Sequence, residues 1–318
     1  MNRNIALDTL KLAMAFMVVG IHAEFLGDVT LLGKYLTVNG LFRLAVPIFL
    51  IINGYYFFYV ISKEQQLQWL KRISVLYFFW MAIYSYFWLT LPDFTFIGFI
   101  KLIKLIVVGY HHLWYVSGMI GAALLLVILR VASSLILATS IVLTFSIGVL
   151  IQYLGNYHIL EETVFDQLFN YHWVHRNMLF FSYPFFCMGY LINKHSLHNK
   201  VSFKFAVGLS LLGVLLLIFE SYINYYQEGS DGGFDNLFSL LFACPFVFIL
   251  FMKLQILGSS KKLALYSSAI YFIHILVLNV FRKNTALDET HLTLATILAS
   301  IFAAYFIIKA NERLKFML

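Results

Sequence analysis

The sequence predicts an all-α protein: a polytopic transmembrane bundle of about ten helices with both termini in the cytoplasm. Of its 318 residues, 62% are hydrophobic and only 12% are charged, whereas a soluble domain has about 25% charged residues. A spanning helix needs roughly 20 apolar residues, so ten such helices occupy most of the chain and leave room for short loops. We therefore expect residues 1–318 to form a single integral-membrane domain.

Ten apolar segments follow one another along the chain. Their length and their content of Leu, Ile and Phe favour helices, because membrane β-strands would alternate apolar and polar residues over about ten positions. The first segment contains Asp8 and Lys11, which indicates a retained helix rather than a cleaved signal peptide. The segments lie near residues 5–26, 41–61, 73–90, 113–130, 134–154, 178–193, 203–226, 236–252, 264–281 and 291–309.

The distribution of Lys and Arg between alternate loops sets the expected orientation, because cytoplasmic loops carry the excess of basic residues. With a cytoplasmic N-terminus, 14 of the 22 basic residues fall on the inner side and six on the outer side. The inner set is Arg3, Lys63, Lys71, Arg72, Arg130, Lys194, Lys200, Lys204, Lys253, Lys261, Lys262, Lys309, Arg313 and Lys315; the outer set is Lys34, Lys101, Lys104, Arg176, Arg282 and Lys283. This bias predicts cytoplasmic termini. The net charge of +7 does not indicate a nucleic-acid partner, since it is spread over these loops.

The first helix carries three ionisable residues, and each is costly inside a membrane unless it has a partner or a function. At about 100° per residue, Asp8, Lys11 and His22 fall on one stripe of the helix, and Lys11 and His22 are about 16 Å apart along its axis. This stripe must face the bundle interior or a water-filled cavity. The alternative is a structural ion pair near the inner surface together with one hydrogen-bonded histidine.

Other polar side chains are expected at the outer half of the membrane, at the depth of His22. Arg43 opens the second helix, His112 follows His111 at the start of the fourth, and Glu220 lies near the outer end of the seventh. A histidine, a cation and a carboxylate at one depth are compatible with general acid–base chemistry. Taken singly, each of these residues would be an interfacial anchor or a hydrogen-bonded packing residue. The two cysteines, Cys187 and Cys244, lie in apolar runs and offer neither a disulfide framework nor a metal site.

The order of these motifs resembles the acyltransferase-3 family of bacterial integral-membrane acyltransferases. The first helix has a basic residue, a gap of ten residues and a histidine, from Lys11 to His22. The further matching stretches are Phe42-Arg43-Leu44-Ala45-Val46-Pro47, Lys71-Arg72, His112-Leu113-Trp114-Tyr115, Arg176-Asn177, Phe186-Cys187-Met188-Gly189-Tyr190 and Ile270-Tyr271-Phe272-Ile273-His274. The resemblance covers essentially the whole chain.

This resemblance implies transfer of an acyl group, usually acetyl from acetyl-CoA, to a hydroxyl of a cell-surface or envelope glycan or of its lipid-linked precursor. His22 would be the essential histidine, with Arg43, His112 and Glu220 as further catalytic candidates. Lys11, Lys71 and Arg72 would bind the donor, although Trp69 stands where the family commonly has a first arginine. The resemblance also implies a bacterial inner (plasma) membrane, with membrane lipid as a partner and no metal.

Two other classes of function remain open. Transporters and flippases, for example for a glycan intermediate, also combine many helices with buried charges. A membrane anchor or sensor would use the histidines for packing or for a response to pH. The transporter is disfavoured because the helices show no two halves with corresponding broken segments. The anchor is disfavoured only by the resemblance.

Overall fold

A computed structural model describes residues 3–89 and 95–318, and these residues are helical almost throughout. The helices are α1 Ile5–Ala23, α2 Leu31–Thr37, α3 Ala45–Ser62, α4 Gln66–Ile83, α5 Ser85–Trp88, α6 Phe96–Val108, α7 Trp114–Leu129, α8 Ser134–Asn156, α9 Val164–Phe169, α10 His172–His175, α11 Tyr183–Lys194, α12 Leu197–Lys200, α13 Phe203–Tyr225, α14 Leu240–Leu254, α15 Lys262–Asn284 and α16 Glu289–Leu314. The short strands β1 (Arg3–Asn4) and β2 (Leu257–Gly258) pair antiparallel. Among the described residues, seven helical spans are long and apolar enough to cross a membrane. The prediction of an all-α polytopic bundle is confirmed.

Each of the ten predicted apolar segments contains a helix, but the third is displaced. The segment predicted at 73–90 is helical over Gln66–Ile83, and its last position, residue 90, lies outside the described residues. Hydropathy marks where a helix is apolar, whereas the hydrogen-bonded helix continues into the polar residues at its start. Lys71 and Arg72 therefore lie within α4 rather than before it. The structure also adds α6, a helix of 13 residues that carries Lys101 and Lys104.

Polar side chains fix where several of the helices begin. Asn4, Ser133, Ser202 and Asp288 each accept a hydrogen bond from a backbone N–H in the first turn of α1, α8, α13 and α16, respectively. These contacts satisfy backbone donors that have no partner within the helix. The first residues of these four helices can thus be predicted from single polar residues of the sequence.

Helices α3 and α11 pack backbone against backbone through two glycines. A Cβ atom added at Gly54 would overlap the carbonyl oxygen of Phe186, and one added at Gly189 would overlap that of Ile51. The side-chain amide of Asn193 also donates to the Tyr55 carbonyl at 2.7 Å. Small residues let membrane helices approach this closely, because packing rather than hydrophobic burial drives their association. Gly54 is thus a packing position rather than a break, and α3 is continuous from Ala45 to Ser62.

Replacing Gly54 with alanine is expected to destabilise the protein by about 1–3 kcal/mol or more, because the new methyl group meets backbone that has no rotamer to change. The matched control is Gly208→Ala on α13, where an added Cβ meets no atom within 4 Å. Thermal unfolding of the two purified variants in one detergent would measure the difference. Equal midpoints would show that α3 and α11 are not packed this closely.

The bundle has two ends that differ in chemistry. At the end where α1 begins, which we call the basic end, β1 pairs with β2 and the last residue, Leu318, lines a cavity together with Lys11 and Arg72. At the opposite end, which we call the histidine end, α1 finishes at Ala23 and the side chain of His22 lies beside His111.

The basic end is expected to face the cytoplasm, as the bias of Lys and Arg predicts. A reporter enzyme that is active only in the cytoplasm and is fused after Leu318 should therefore be active. A reporter that needs export, fused at the same position, should be silent. The reverse pattern would place the basic end outside and overturn the predicted orientation.

Candidate active site

Four histidines from three separate parts of the chain meet at the histidine end. The ring centroid of His22, on α1, lies 4.6 Å from that of His111 and 5.3 Å from that of His274, on α15. The His274 ring is in turn 5.0 Å from that of His112. His111 is exposed, His22 is half-buried, and His112 and His274 are buried. The four rings, which we call the histidine cluster, thus lead from the surface into the bundle.

The backbone of α15 fixes the tautomer of His274. Its Nδ1 lies 2.6 Å from the carbonyl oxygen of Tyr271, and a carbonyl can only accept, so in the neutral ring Nδ1 carries the proton. Nε2 is then an unprotonated acceptor, and it is buried without a hydrogen-bond partner among the described residues. A histidine held in one tautomer with a free ring nitrogen is the form needed for accepting a proton. His274 was not among our catalytic candidates.

A cavity of about 230 Å³ reaches from the basic end towards the histidine cluster. Lys11 and Arg72 line it at one end, and Tyr115 and Tyr271 line it at the other. The Tyr271 hydroxyl donates to the backbone carbonyl of His112 at 2.5 Å, and its ring lies 5.4 Å from that of His112. Tyr271 therefore belongs to the wall of the cavity and contacts the histidine cluster.

The three predicted donor-binding residues lie close together at the basic end. Lys11 pairs with Asp8 at 3.8 Å, as the stripe on the first helix predicts. Arg72 lines both the cavity and an adjoining cleft of about 310 Å³, in which Lys71 and Lys315 also lie. The cavity and the adjoining cleft together contain four cations and can accept a phosphate-bearing ligand.

Trp69, which stands at the family's first arginine position, packs its ring against Phe57 at 4.8 Å. It therefore serves the aromatic core rather than the basic cleft. Lys71 and Lys315 are the additional cations of that cleft, and nothing in the order of residues along the chain signals that Lys315 would join them.

Arg43 belongs to a buried ion-pair network at the histidine end. Its guanidinium pairs with the carboxylate of Asp235, and the second oxygen of Asp235 accepts from Arg176 at 2.8 Å. The Asp235 and Asn236 backbone N–H groups both donate to the side-chain oxygen of Gln152, at 2.8 and 2.9 Å. We call Arg43, Asp235 and Arg176 the ion triad. The structure places Arg43 against Asp235 and not against His22, so its predicted role at the reacting centre stays a prediction.

Arg176 also contacts the start of α7. Its guanidinium carbon lies 4.7 Å from the ring centroid of Trp114, which directly follows the segment that contains His111 and His112. Asp235 lies in the loop between α13 and α14. Burial alone would raise the pKa of its carboxyl, but Arg176 and Arg43 hold that pKa well below its usual range. Burial lowers the pKa of His175 to about 4. Near neutral pH the network therefore holds an ionised Asp235 beside a neutral histidine.

Glu220 lies near the end of α13, as predicted, but its contacts are with α8 and the start of α14. Its carboxylate accepts from the Tyr153 hydroxyl at 2.6 Å, from the Phe238 and Ser239 backbone N–H groups, both at 2.8 Å, and from the Ser239 hydroxyl at 2.5 Å. Through these bonds Glu220, on α13, connects α8 to the start of α14. The structure thus brings His22 and His112 together, and it holds Glu220 in a helix-start contact instead of in the histidine cluster.

Among the described residues, no group of three or more His, Cys, Asp or Glu side chains is arranged to hold a metal ion. In the histidine cluster, ring nitrogens of His112 and His274 are buried without a hydrogen-bond partner among the described residues. These nitrogens are groups suited to acid–base chemistry, and they lie within a polytopic helical membrane protein that has a cavity lined by Lys11 and Arg72 at its basic end.

The chain belongs to the acyltransferase-3 family, whose model, described as an acyltransferase domain, matches residues 4–309. It is similar to a serine/alanine racemase of Enterococcus gallinarum, with 27% identity over 247 residues, which are 71% of this chain and 34% of the relative. It is also similar to an amino-acid racemase of Enterococcus faecalis, with 25% identity over 301 residues, or 86% of this chain and 40% of the relative. The chain thus spans less than half the length of either relative. No solved structure matches.

Proposed function

We propose that this membrane protein transfers an acetyl group from acetyl-CoA, bound at the basic end, to a hydroxyl of an envelope glycan or of its lipid-linked precursor at the histidine end. One observation carries the proposal: Tyr271 lines the cavity that begins at Lys11 and Arg72 and also contacts His112. The donor's phosphates and the reacting hydroxyl can thereby occupy opposite ends of one bundle. The long, flexible arm of CoA is suited to spanning such a cavity.

The reaction needs a base, a cation and a path for the thioester. A histidine nitrogen of the cluster accepts the proton of the acceptor hydroxyl, and the hydroxyl oxygen then attacks the thioester carbonyl carbon. The negative charge of the tetrahedral intermediate needs a cation, for which Arg176 beside Trp114 and Arg282 bound to the His22 carbonyl are the candidates. Collapse breaks the carbon–sulfur bond, and the proton passes to the CoA sulfur. The products are an acetyl ester and CoA.

His22 is the base in this scheme, because it is half-buried and stands between the exposed His111 and the buried His274. The fixed tautomer of His274 gives the proton a second acceptor deeper in the bundle. His112 contributes from the other side, where both of its ring nitrogens are buried without a partner among the described residues. Arg282 holds this end of α1 by donating to the His22 carbonyl at 2.8 Å.

The test uses purified protein in lipid nanodiscs with radiolabelled acetyl-CoA and extracted envelope glycans. We expect label on the glycan that is released by mild base, as an ester would be. Comparing the surface glycans of a deletion strain and its parent by mass spectrometry should show a difference of one acetyl group. Absence of transfer to any glycan, with the donor bound, would remove the glycan from the proposal.

Lys11→Ala is expected to weaken acetyl-CoA binding by about ten- to a hundredfold, since a hydrogen bond to a charged group contributes about 1.5–3 kcal/mol. Lys204→Ala is the matched control, because Lys204 is an exposed lysine that does not line the cavity. Isothermal titration calorimetry would give both affinities, and thermal unfolding would report the loss of the Asp8 ion pair separately. Unchanged affinity in Lys11→Ala would leave only the structural ion pair.

A second candidate function is the movement of a small amino acid across the membrane. It is suggested by the two relatives, a serine/alanine racemase and an amino-acid racemase, because both act on amino acids. The same names suggest a serine hydroxyl as an alternative acyl acceptor. Uptake of radiolabelled serine into proteoliposomes tests transport, and serine added to the acetyl-transfer assay tests the acceptor. Uptake without any acetyl transfer would favour the transporter.

A further inference from the structure

A pair of polar side chains lies in an apolar stretch of the wall of the cavity that begins at Lys11 and Arg72. The side-chain amide of Asn53, on α3, donates to the hydroxyl of Tyr115, on α7, at 2.8 Å, and both residues line the cavity. We call Asn53 and Tyr115 the amide–hydroxyl pair. The lining residues next to them on the same two helices are apolar: Phe49, Ile52, Val116 and Met119.

The hydrogen bonds of the amide–hydroxyl pair leave one acceptor and one donor for a ligand. The Asn53 nitrogen donates both to the Phe49 carbonyl and to the Tyr115 hydroxyl, each at 2.8 Å, so both of its hydrogens are used. Because the Phe49 carbonyl can only accept, the nitrogen is the amide atom that faces it, and the amide oxygen points elsewhere. The Tyr115 oxygen accepts from Asn53, so its own proton is left to be donated.

Contacts along α15 give the depth of this pair. The Ser267 hydroxyl donates to the Lys11 carbonyl at 2.8 Å, so Ser267 lies at the level of Lys11. Tyr271 is four residues farther along, or about 6 Å, and its ring lies 5.4 Å from the Tyr115 ring. Tyr271 also contacts His112. The amide–hydroxyl pair therefore lies between the cations of the basic end and the histidine cluster.

The arm of CoA carries polar groups at the corresponding place. Between its diphosphate and its sulfur, the arm contains two amide groups separated by a short methylene spacer. With the phosphates at Lys11 and Arg72 and the thioester at the histidine cluster, these amides pass along the wall that contains the amide–hydroxyl pair. An amide enclosed by apolar side chains without a hydrogen-bond partner would weaken binding.

We propose that Asn53 and Tyr115 form a subsite that recognises the amides of the donor's arm. The Tyr115 hydroxyl donates to an amide carbonyl of the arm, and the Asn53 side-chain oxygen accepts from an amide N–H. The subsite fixes how far the arm enters and so positions the thioester relative to His22. The inference rests on the proposed function, in that the ligand of the cavity is a CoA thioester.

The first test separates the arm from the nucleotide. Tyr115→Phe is expected to weaken CoA binding about tenfold, because an enclosed carbonyl loses its donor, and to leave the binding of adenosine 3′,5′-bisphosphate, which lacks the arm, unchanged. Calorimetric titration of the protein in lipid nanodiscs measures both affinities. The matched control is Tyr183→Phe, which removes a hydroxyl that contacts Ser140 at 2.7 Å and does not line the cavity; it should change neither affinity. The same ratio of the two affinities in Tyr115→Phe and in the unchanged protein would overturn the proposal.

The second test addresses Asn53 with two CoA analogues, each having one arm amide replaced by an ester, which keeps the carbonyl but lacks the N–H group. One of the two should bind the unchanged protein about tenfold more weakly than CoA. Asn53→Leu should bind that analogue and CoA equally, since leucine has no oxygen to accept the N–H. A preference for CoA that persists in Asn53→Leu would contradict the role of Asn53. Tyr115→Phe removes a single oxygen and still decides the proposal if Asn53→Leu does not fold.

Failure of this proposal is distinguishable from failure of the proposed function. Acetyl transfer from acetyl-CoA is measured in the same nanodisc preparations. If neither CoA nor adenosine 3′,5′-bisphosphate binds the unchanged protein, the donor of the proposed function is wrong and the subsite fails with it. If acetyl transfer occurs but Tyr115→Phe and Tyr183→Phe bind CoA equally, only the subsite is wrong, and the hydrogen bond between Asn53 and Tyr115 serves the packing of α3 against α7.

Discussion

Replacing His22 with alanine is expected to abolish detectable acetyl transfer while leaving expression and membrane insertion intact. Loss of a general base commonly costs about 10²–10⁴-fold in rate, which in cells would appear as complete loss of the modified glycan. The half-buried His22 ring faces two other histidine rings and not the apolar core. Its removal should therefore affect catalysis much more than stability.

His22→Gln is the sharper variant, because glutamine can hydrogen-bond but cannot accept a proton near neutral pH. The matched control is His291→Gln, at an exposed histidine that pairs with Asp288 at the start of α16. We expect the control to transfer acetyl at the normal rate. A well-expressed His22→Gln protein with near-normal activity would make His22 a structural residue and refute the proposed mechanism.

Asp235→Ala is expected to destabilise the protein by about 3–5 kcal/mol, the usual cost of removing one partner from a buried ion pair. The Asp235 side chain is only 7% exposed and pairs with both Arg43 and Arg176, so its loss leaves two guanidinium groups facing each other. Thermal unfolding in detergent should show a large decrease in the midpoint. Transfer should also fall, since Arg176 loses the contact that holds it beside the histidines.

A matched control and a rescue accompany this prediction. Asp231→Ala changes an aspartate that is 55% exposed in the same loop and should shift the midpoint little. Adding Arg43→Met to Asp235→Ala should recover part of the stability, because one unpaired charge is removed. No recovery, together with equal midpoints for Asp231→Ala and Asp235→Ala, would show that the ion triad does not stabilise the fold.

The ion triad is also expected to resist mild acid. Because the pKa of Asp235 is depressed in the folded protein, its contribution to stability is present above the unfolded pKa of about 3.9 and is lost as pH falls through the folded value. Between pH 5 and 8, Asp235 should therefore add no pH dependence to the unfolding midpoint.

The sequence was most informative where a single residue or run has only one structural solution. Apolar runs of about 20 residues must satisfy their own backbone hydrogen bonds in lipid, which helices do, so all ten segments contain helices. Polar residues at the helix starts, such as Asn4 and Ser133, mark their own capping positions. The spacing of Asp8 and Lys11 on one turn predicted an ion pair that the structure contains.

It was less informative where apolar content and helical structure do not coincide. The start of α4 was missed by seven residues, because Gln66 and the basic residues that follow are polar but still helical. Helix α6 was missed because it has only 13 residues and two lysines. In both cases the backbone forms a helix at the membrane boundary, where hydropathy alone gives a weak signal.

The sequence by itself determined the class of the protein. Its composition indicates a membrane protein, the length of its apolar segments indicates helices, and the run of motifs from Lys11 to His274 matches one family. Only the tertiary structure decided which side chains share a site. Glu220 and Asp235 are both carboxylates near the histidine end, yet one fastens a helix start and the other pairs with two arginines. His22 and His274 are 252 positions apart and meet because α1 packs against α15. Such contacts depend on which helices pack together and at what angle, and the local sequence of each helix does not specify its neighbours.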